Sequence, residues 1–289
     1  MRQWEPHTVT TDEIIDPGPV AALAALFDDG LPTPRPGDEL PPMWHWVALP
    51  RWPGSAQIDT DGHPARGSFL PPVPLPRRMF AGGEVHWHSE IHVGETVRRV
   101  SRVESVSEKS GRSGKLVVVV VGTRLYRDGG ELAVEERQDL IYREPSAPST
   151  TDAPVAAAAA LTPAGGPFRS AGDSRWDFAT DPTLLMRFSA ATANAHRIHY
   201  DWPYATRVEG YPGLVVHGPL ITLAAAEVRR LTGATGRPAR LRHRNRAPLF
   251  CAQPAQLRTC QDGNALRVEL FGPGAEAAGP NATVEIGLG

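Results

Sequence analysis

The sequence contains few cysteines and no long apolar segment, and these two scarcities exclude several classes of protein. Only two of the 289 residues are cysteine, Cys251 and Cys260, too few for a disulfide framework or a zinc–thiolate cluster. The longest strongly apolar run, KLVVVVVG, is far shorter than the roughly 20 residues of a membrane-spanning helix. The first residues, MRQWEPHTVTTDEIID, lack the apolar centre of a signal peptide. We therefore expect a reduced, cytoplasmic protein without a membrane partner.

The sequence also has no large excess of positive or negative charge. Lys and Arg number 30 and Asp and Glu number 32, which gives a net charge of −2. A general nucleic-acid binder carries an excess of positive charge, so no nucleic-acid partner is expected. Hydrophobic residues make up 41% and charged residues 21%, which is typical of a globular protein. A chain of this length forms one large domain or two of ordinary size.

A stretch rich in Pro, Ala, Ser and Gly divides the chain. The segment EPSAPSTTDAPVAAAAALTPAGGPFRSAGD has few large apolar residues to bury, and its alanine run could form only a helical turn or two. We therefore predict an N-terminal domain over residues 1–145, a linker over 146–173 and a C-terminal domain over 174–289.

The N-terminal half is predicted to consist mostly of strands. A short helix is expected near Pro19–Phe27, before strand-like segments at Met43–Leu49 and Gly83–Glu95. The following residues, up to position 144, alternate in the manner of two or three long strands with turns at KSGRSG and RDGG. The unbroken valines of KLVVVVVG are typical of a strand that is covered on both faces.

The C-terminal half begins with two predicted helices. The first covers Thr180–Asn194, with Asp181 as its cap and Pro182 in its first turn. The second begins at Pro219, carries an apolar stripe and ends at Gly233. Four strand-like segments follow: RPARLRHRNRAP, AQPAQLRTCQ, ALRVELFG and NATVEIGL. Helices followed by an antiparallel sheet form an α+β pattern.

Four segments carry a resemblance to a known family. They are RFSAATANAHRIHYDWPYA (187–205), GLVVHGPLI (213–221), RNRAPLF (244–250) and RRMFAGGEVHWHSEIHVGE (77–95). Together they resemble the MaoC-like hydratase/dehydratase family, in the branch of mesaconyl-C4-CoA hydratases and type 2 3-hydroxyacyl-thioester dehydratases. The resemblance implies a double hot-dog fold, in which two antiparallel sheets each wrap around a central helix and pair side by side. It also implies reversible addition of water to an enoyl thioester of CoA or of acyl-carrier protein, without a cofactor.

Three residues of the C-terminal half are candidates for the chemistry. His199 matches the family's catalytic histidine, and a histidine is the natural acid and base near neutral pH. Asn194 is the candidate to orient the water or the substrate. The backbone N–H of Gly218, at the start of the second helix, would stabilise the enolate oxygen. Thr192 stands where the family has an aspartate, so the acidic partner is open.

Other polar residues near these segments have two interpretations each. Asp201 either orients His199 or is a surface residue, and His217 either fixes the turn in the core or lines the site. Arg244 and Arg246 belong to a basic run that is either a solvated strand face or a contact for CoA phosphates. His196, with His199 and Asp201, could ligate a metal ion, but a zinc signature is absent and no metal is expected.

Two rival functions use the same cavity. One is a non-catalytic acyl-thioester binder, which the substitution at Thr192 would explain. The other is a hot-dog thioesterase, but these enzymes usually depend on a carboxylate at the central helix, and none precedes Glu227 here. A homodimer is plausible if the paired sheets leave a free edge.

Overall fold

The computed structural model describes residues 4–111, 114–145 and 165–288. Within these ranges eleven strands form one sheet in which all neighbouring strands are antiparallel. The strands are β1 (Thr8–Ile14), β2 (Arg77–Trp87), β3 (Thr96–Gly111), β4 (Gly114–Arg127), β5 (Leu132–Arg143), β6 (Phe168–Ser170), β7 (Arg175–Phe178), β8 (Pro238–Asn245), β9 (Gln256–Asp262), β10 (Ala265–Phe271) and β11 (Ala282–Leu288). The helices are α1 (Pro17–Phe27), α2 (His45–Ala48), α3 (Pro182–Ala191), α4 (Gly218–Leu231) and α5 (Ala275–Ala278).

The strand order separates the two halves of the chain. It runs β1-β3-β4-β5-β2-β8-β11-β10-β9-β7-β6, so the strands of each half are contiguous. The halves join where residues 82–86 of β2 pair with residues 240–244 of β8. The predicted α+β double hot-dog, with two sheets side by side, is therefore confirmed.

Helix α4 is the central helix of the C-terminal half. Pro219 lies in its first turn, as predicted, where a missing N–H costs no hydrogen bond. Every residue from Leu220 to Arg229 is buried, because the sequence GPLITLAAAEV offers apolar or small side chains on all sides. Gly233, which has a φ of +67°, follows the end of the helix in the left-handed conformation that glycine tolerates.

Helix α3 is shorter than the prediction of 180–194. Asp181 caps it as expected, since its side chain accepts a hydrogen bond from the N–H of Leu184 at 2.6 Å. The helix ends at Ala191, and Ala193 then adopts the left-handed conformation with a φ of 52°. The N–H of Asn194 returns to the carbonyl of Ser189 at 2.9 Å, the hydrogen bond that closes a helix end of this type.

Two local predictions for the N-terminal half are wrong. Residues 43–49, which we expected to be a strand, contain helix α2, and their burial does not alternate as it does in a strand with one covered face: all of them except Trp46 are buried. The valine run lies in β4, but its burial alternates, so only one face is fully covered.

The segment predicted as a linker is described only in part. Residues 146–164, including the alanine run, lie outside the described residues. Phe168–Ser170 forms the edge strand β6, and the ring of Phe168 packs 5.2 Å from that of Phe27 in α1. None of the helices in the described ranges is long and apolar enough to cross a membrane.

Candidate active site

The polar segment of the C-terminal half lies between the end of α3 and the start of α4. After the helix end at Ala193 the chain forms a tight helical turn over Arg197–His199. The N–H of Val215, just before α4, then donates to the carbonyl of Ile198 at 3.0 Å. This pairing brings the turn and the N-terminus of the central helix together.

His199 is held in a single tautomer. Its Nδ1 lies 2.7 Å from the carbonyl oxygen of Val215, and since a carbonyl can only accept, Nδ1 carries the proton. Its Nε2 makes no hydrogen bond with any described residue and is not among their buried unpartnered atoms. Burial lowers the pKa of His199 to about 3, so the ring is neutral near pH 7 and Nε2 has a free lone pair. This is the form that a general base requires.

His217 lies directly against His199. The two rings stack with their centroids 3.6 Å apart, and Nε2 of His217 lies 2.9 Å from the hydroxyl oxygen of Ser189. His217 is fully buried, and burial holds its pKa well below the usual range. The structure places His217 in the core, stacked on the ring of His199.

Asn194 is positioned by the end of α3. Its side-chain oxygen accepts a hydrogen bond from the N–H of His196 at 3.1 Å, which leaves its amide nitrogen without a partner among the described residues. Thr192, at the position of the family's aspartate, donates its hydroxyl to the carbonyl of Phe188 at 2.7 Å and terminates the helix.

Gly218 is the first residue of α4 and lies in a crowded position. A Cβ added to it would be 2.9 Å from Nδ2 of Asn245 and 3.0 Å from the ring of Phe80. Any larger residue here would have to displace these two side chains. Glycine leaves the backbone at the helix N-terminus, where free N–H groups favour negative charge, open to close approach by a ligand.

Asp201 does not orient His199. Its carboxylate accepts two hydrogen bonds from Arg197, at 2.9 and 2.7 Å, and one from the N–H of Tyr204 at 3.1 Å. The hydrogen bonds from Arg197 lower the pKa of Asp201. Because the carboxylate of Asp201 is paired with Arg197, four residues earlier, Asp201 is not the acidic partner of His199.

Arg244 and Arg246 are exposed and lie on or just beyond β8. They flank Asn245, the residue that crowds Gly218, so they lie close to the N-terminus of α4. Strand alternation turns His243 inward instead, where it is buried.

The acidic group near these histidines comes from the N-terminal half, which the sequence analysis did not identify. Asp61 accepts hydrogen bonds from the N–H of His63 at 2.8 Å and from its Nδ1 at 3.1 Å. The ring of His63 lies 4.1 Å from that of His196, which in turn is 5.4 Å from His199. The carbonyl of Asp61 also accepts from the N–H of Arg197 at 2.9 Å. Both halves of the chain therefore build the site.

Burial and charge keep His63 and Asp61 in different protonation states. Burial and, after it, the charge of the nearby Arg78 lower the pKa of His63 to about 4. Burial acts to raise the pKa of Asp61, but the hydrogen bonds and charge of His63 outweigh it and hold that pKa well below its usual range. The pair is therefore a carboxylate beside a neutral imidazole near pH 7.

Asp61, His63 and His196 are also of the residue types that bind metal ions. One donor atom from each lies within 4.8 Å of the others. However, the guanidinium of Arg66 is 3.7 Å from the Asp61 carboxylate, and this positive charge opposes a cation. The set weighed from the sequence is not brought together, because Asp201 is held by Arg197.

Comparison with known proteins places this chain in a family. A family model described as hydroxyacyl-thioester dehydratase type 2 matches residues 43–251, which span most of the chain. The chain belongs to this family. A curated relative, mesaconyl-C(4)-CoA hydratase of Chloroflexus aurantiacus, is 42% identical over 287 residues, covering 98% of this chain and 97% of its own.

Solved structures share the fold of this family member. A MaoC-like dehydratase from Phytophthora capsici has a TM-score of 0.64 at 14% identity, covering 99% of this chain and 95% of its own. A conserved hypothetical protein from Mycobacterium tuberculosis, reported to have a double hotdog fold, has a TM-score of 0.55 at 17% identity, covering 100% and 96%. Such low identities show the fold alone. With the family match, they confirm the predicted hot-dog hydratase/dehydratase class of hydro-lyases.

Proposed function

We propose that this chain reversibly adds water across the α,β double bond of an enoyl thioester, with His199 as the general acid and base. The observation that carries the proposal is the fixed tautomer of His199, whose protonated Nδ1 is held by Val215 and whose Nε2 is free to accept a proton. The named relative is a hydratase, in agreement with this reaction.

In the hydration direction, Nε2 of His199 removes a proton from water as its oxygen bonds to the β-carbon. The electrons move to the thioester oxygen, where the N–H of Gly218 at the helix N-terminus stabilises the enolate. The histidine then returns the proton to the α-carbon, and burial favours this step because it disfavours the charged imidazolium. Asn194, with its free amide nitrogen, orients the water.

We assign the two halves of the chain different tasks. The C-terminal unit, residues 174–289, supplies His199, Asn194 and Gly218. The N-terminal unit, residues 1–145, shapes the acyl cavity and supplies the carboxylate of Asp61 that the C-terminal motif lacks.

The proposal extends to the substrate, the cellular location and the assembly of the protein. The substrate thioester is one of CoA or of acyl-carrier protein, and exposed Arg244 and Arg246 near the N-terminus of α4 would contact its phosphates. A cytoplasmic location and a homodimer are part of the same proposal. The acyl group of the relative, mesaconyl-C4, is one candidate substrate among short enoyl groups.

Hydrolysis of the thioester is disfavoured by the position of the acidic residue of α4. Glu227 lies nine residues beyond Gly218, or about 13 Å along a helix. It is fully buried, where it accepts a hydrogen bond from the indole of Trp44 at 3.1 Å and pairs with Arg230 at 2.5 Å. It cannot direct water at a carbonyl carbon beside Gly218.

The proposal is tested by following the absorbance of the conjugated enoyl thioester. Purified protein is given crotonyl-CoA, a longer enoyl-CoA and mesaconyl-C4-CoA, and release of free thiol is measured in parallel. We expect loss of the enoyl chromophore without thiol release. His199→Ala should lower kcat at least about 1000-fold, because it removes the acid and base, and Asn194→Ala about 10- to 100-fold.

Asp201→Asn serves as the matched control, since Asp201 lies in the same segment but pairs with Arg197. It should retain kcat within about threefold. Thiol release that depends on His199 would identify a thioesterase. Thermal stabilisation by CoA thioesters without turnover of any of them would identify a binding protein and refute the mechanism.

A further inference from the structure

Among the described residues, one arginine beside the proposed site forms no ion pair. Among the described residues, the guanidinium of Arg78 has no hydrogen bond and no carboxylate within 4.0 Å. Its neighbours differ in this respect: Arg66 lies 3.7 Å from Asp61, and Arg77 lies 3.0 Å from Glu209. Asp61 is the carboxylate whose charge acts on Arg78, but Arg66 lies against the same carboxylate. Two guanidinium groups therefore share the one carboxylate of Asp61, and a net positive charge remains beside Tyr142.

A buried hydroxyl without a partner lies directly opposite Arg78. Arg78 of β2 pairs with Tyr142 of β5, so the two side chains are neighbours on one face of the sheet. Tyr142 is fully buried, and its hydroxyl makes no hydrogen bond with any described residue. An unsatisfied buried hydroxyl costs roughly 1–3 kcal/mol, which indicates that a ligand or water completes it.

Arg78 and Tyr142 lie near Gly218, where the thioester carbonyl is proposed to bind. Phe80, two residues along β2 from Arg78, is on the same face, and its ring lies 3.0 Å from the position of a Cβ on Gly218. Two residues of a strand span about 7 Å. A four- or five-carbon acyl group whose thioester carbonyl lies at Gly218 would thus bring its far end close to the guanidinium.

Apolar residues pack around Tyr142. The buried cluster around Tyr142 is packed by a loop that includes Phe69, Leu70 and Leu75. Arg66 holds that loop in place, donating to the carbonyls of Val73, Leu75 and Pro76 at 2.7–2.9 Å. A long acyl chain would have to displace this packing, whereas a short one would not.

We propose that the acyl group of the substrate carries a second carboxylate, which binds Arg78 and the hydroxyl of Tyr142. The substrate class is then a monothioester of a short unsaturated dicarboxylic acid. This inference rests on the proposed hydratase function, and it assigns Arg78 and Tyr142 as the residues that determine specificity. A guanidinium and a hydroxyl together donate the hydrogen bonds that a carboxylate accepts.

The experiment compares a dicarboxylic with a neutral substrate that shares the same CoA. Steady-state kinetics are measured with mesaconyl-C4-CoA and crotonyl-CoA for the wild type, Arg78→Gln, Arg78→Lys and Tyr142→Phe. We expect Arg78→Gln to lower kcat/KM for mesaconyl-C4-CoA by about 100-fold and for crotonyl-CoA by less than about threefold. Arg78→Lys should recover part of the loss, because it restores the charge but not the planar fork.

If the arginine variants fold poorly, Tyr142→Phe still tests the inference. It removes a hydroxyl without a protein partner, so the melting temperature should not fall, while KM for mesaconyl-C4-CoA should rise about tenfold. Arg102→Gln, at an exposed position of β3, is the matched control and should change neither substrate's kinetics.

The two proposals fail in different ways. Equal losses on both substrates in Arg78→Gln would show that this arginine serves the CoA phosphates or the fold, and would overturn the inference while hydration stands. Wild-type preference for crotonyl-CoA over mesaconyl-C4-CoA would also overturn it. Absence of turnover of every thioester by the wild type would refute the hydratase function itself.

Discussion

The backbone carbonyl of Val215 determines which nitrogen of His199 accepts a proton, and burial determines at what pH it can do so. Burial lowers the pKa of His199 to about 3. We therefore predict that kcat/KM for hydration is constant between pH 8 and about pH 5.5. A histidine with an ordinary pKa of about 6.5 would lose about tenfold over that range. Initial rates in a series of buffers at one ionic strength measure this, and a half-point near pH 6.5 would contradict it.

Candidate residues of the C-terminal half could be proposed from the sequence because they are local in it. His199, Asn194 and Gly218 follow from two short segments around one helix end and one helix start. The interpretation of Asp201 as an orienting group fails, because spacing in the sequence does not reveal that Arg197 occupies the carboxylate. Asp61 and His63 were missed because their contact with His196 spans the two halves of the chain.

At the scale of an element, the loop that carries Asp61 depends on one close backbone approach. Gly62 has a φ of +91°, and a Cβ there would collide with the carbonyl oxygen of Ala195. We predict that Gly62→Ala separates the loop from the C-terminal half and loses the hydrogen bond from Arg197 to Asp61. The expected result is a fall of more than about 2 kcal/mol in the free energy of unfolding and at least a tenfold fall in kcat/KM.

Gly67→Ala is the matched control for this loop. Gly67 has a similar φ of +89°, but the nearest atom to its Cβ is 3.7 Å away, in Pro72. It should show only the backbone cost of about 1 kcal/mol and full activity. The free energy of unfolding in denaturant and the kcat/KM are measured for both variants. This separates the cost of backbone strain, present in both, from the collision with Ala195, present only in Gly62→Ala. Equal effects in the two variants would mean that the contact with Ala195 is unimportant.

Elements were predicted well where one periodicity dominates. Helix α4 and strands β8 to β11 follow from their apolar patterns and from Pro219 and Gly233. Helix α2 was mistaken for a strand because aromatic residues favour strands, although burial in this segment does not alternate. The pairing of β2 with β8, which joins the halves, is a tertiary contact that no local pattern encodes.

For the whole molecule, buried histidines make stability depend on pH. Burial lowers the pKa values of His63 and His243 to about 4 and that of His199 to about 3. In the unfolded chain they titrate near 6.5, so below that pH the unfolded state binds more protons. Their full contribution is present above pH 6.5 and is lost as the pH falls toward 4. Burial also raises the pKa of Glu227, to about 8, and that of Glu209, and both act in the opposite direction. Burial lowers the pKa values of His196 and His217 as well, so the histidines outnumber these two carboxyls.

We therefore predict that the melting temperature falls steadily between pH 6.5 and pH 4.5, as each such histidine removes up to about 1.4 kcal/mol per pH unit. His243 tests this outside the proposed site, because it is buried with both ring nitrogens unpartnered and stacks 5.2 Å from the ring of Phe80. His243→Leu should reduce the loss of melting temperature between pH 7.5 and 5.0. Phe80→Leu disturbs the same stack without removing a titrating group, so its effect should be equal at both pH values. If His243→Leu is as sensitive to acid as the wild type, the histidine does not titrate in this range and the prediction is wrong.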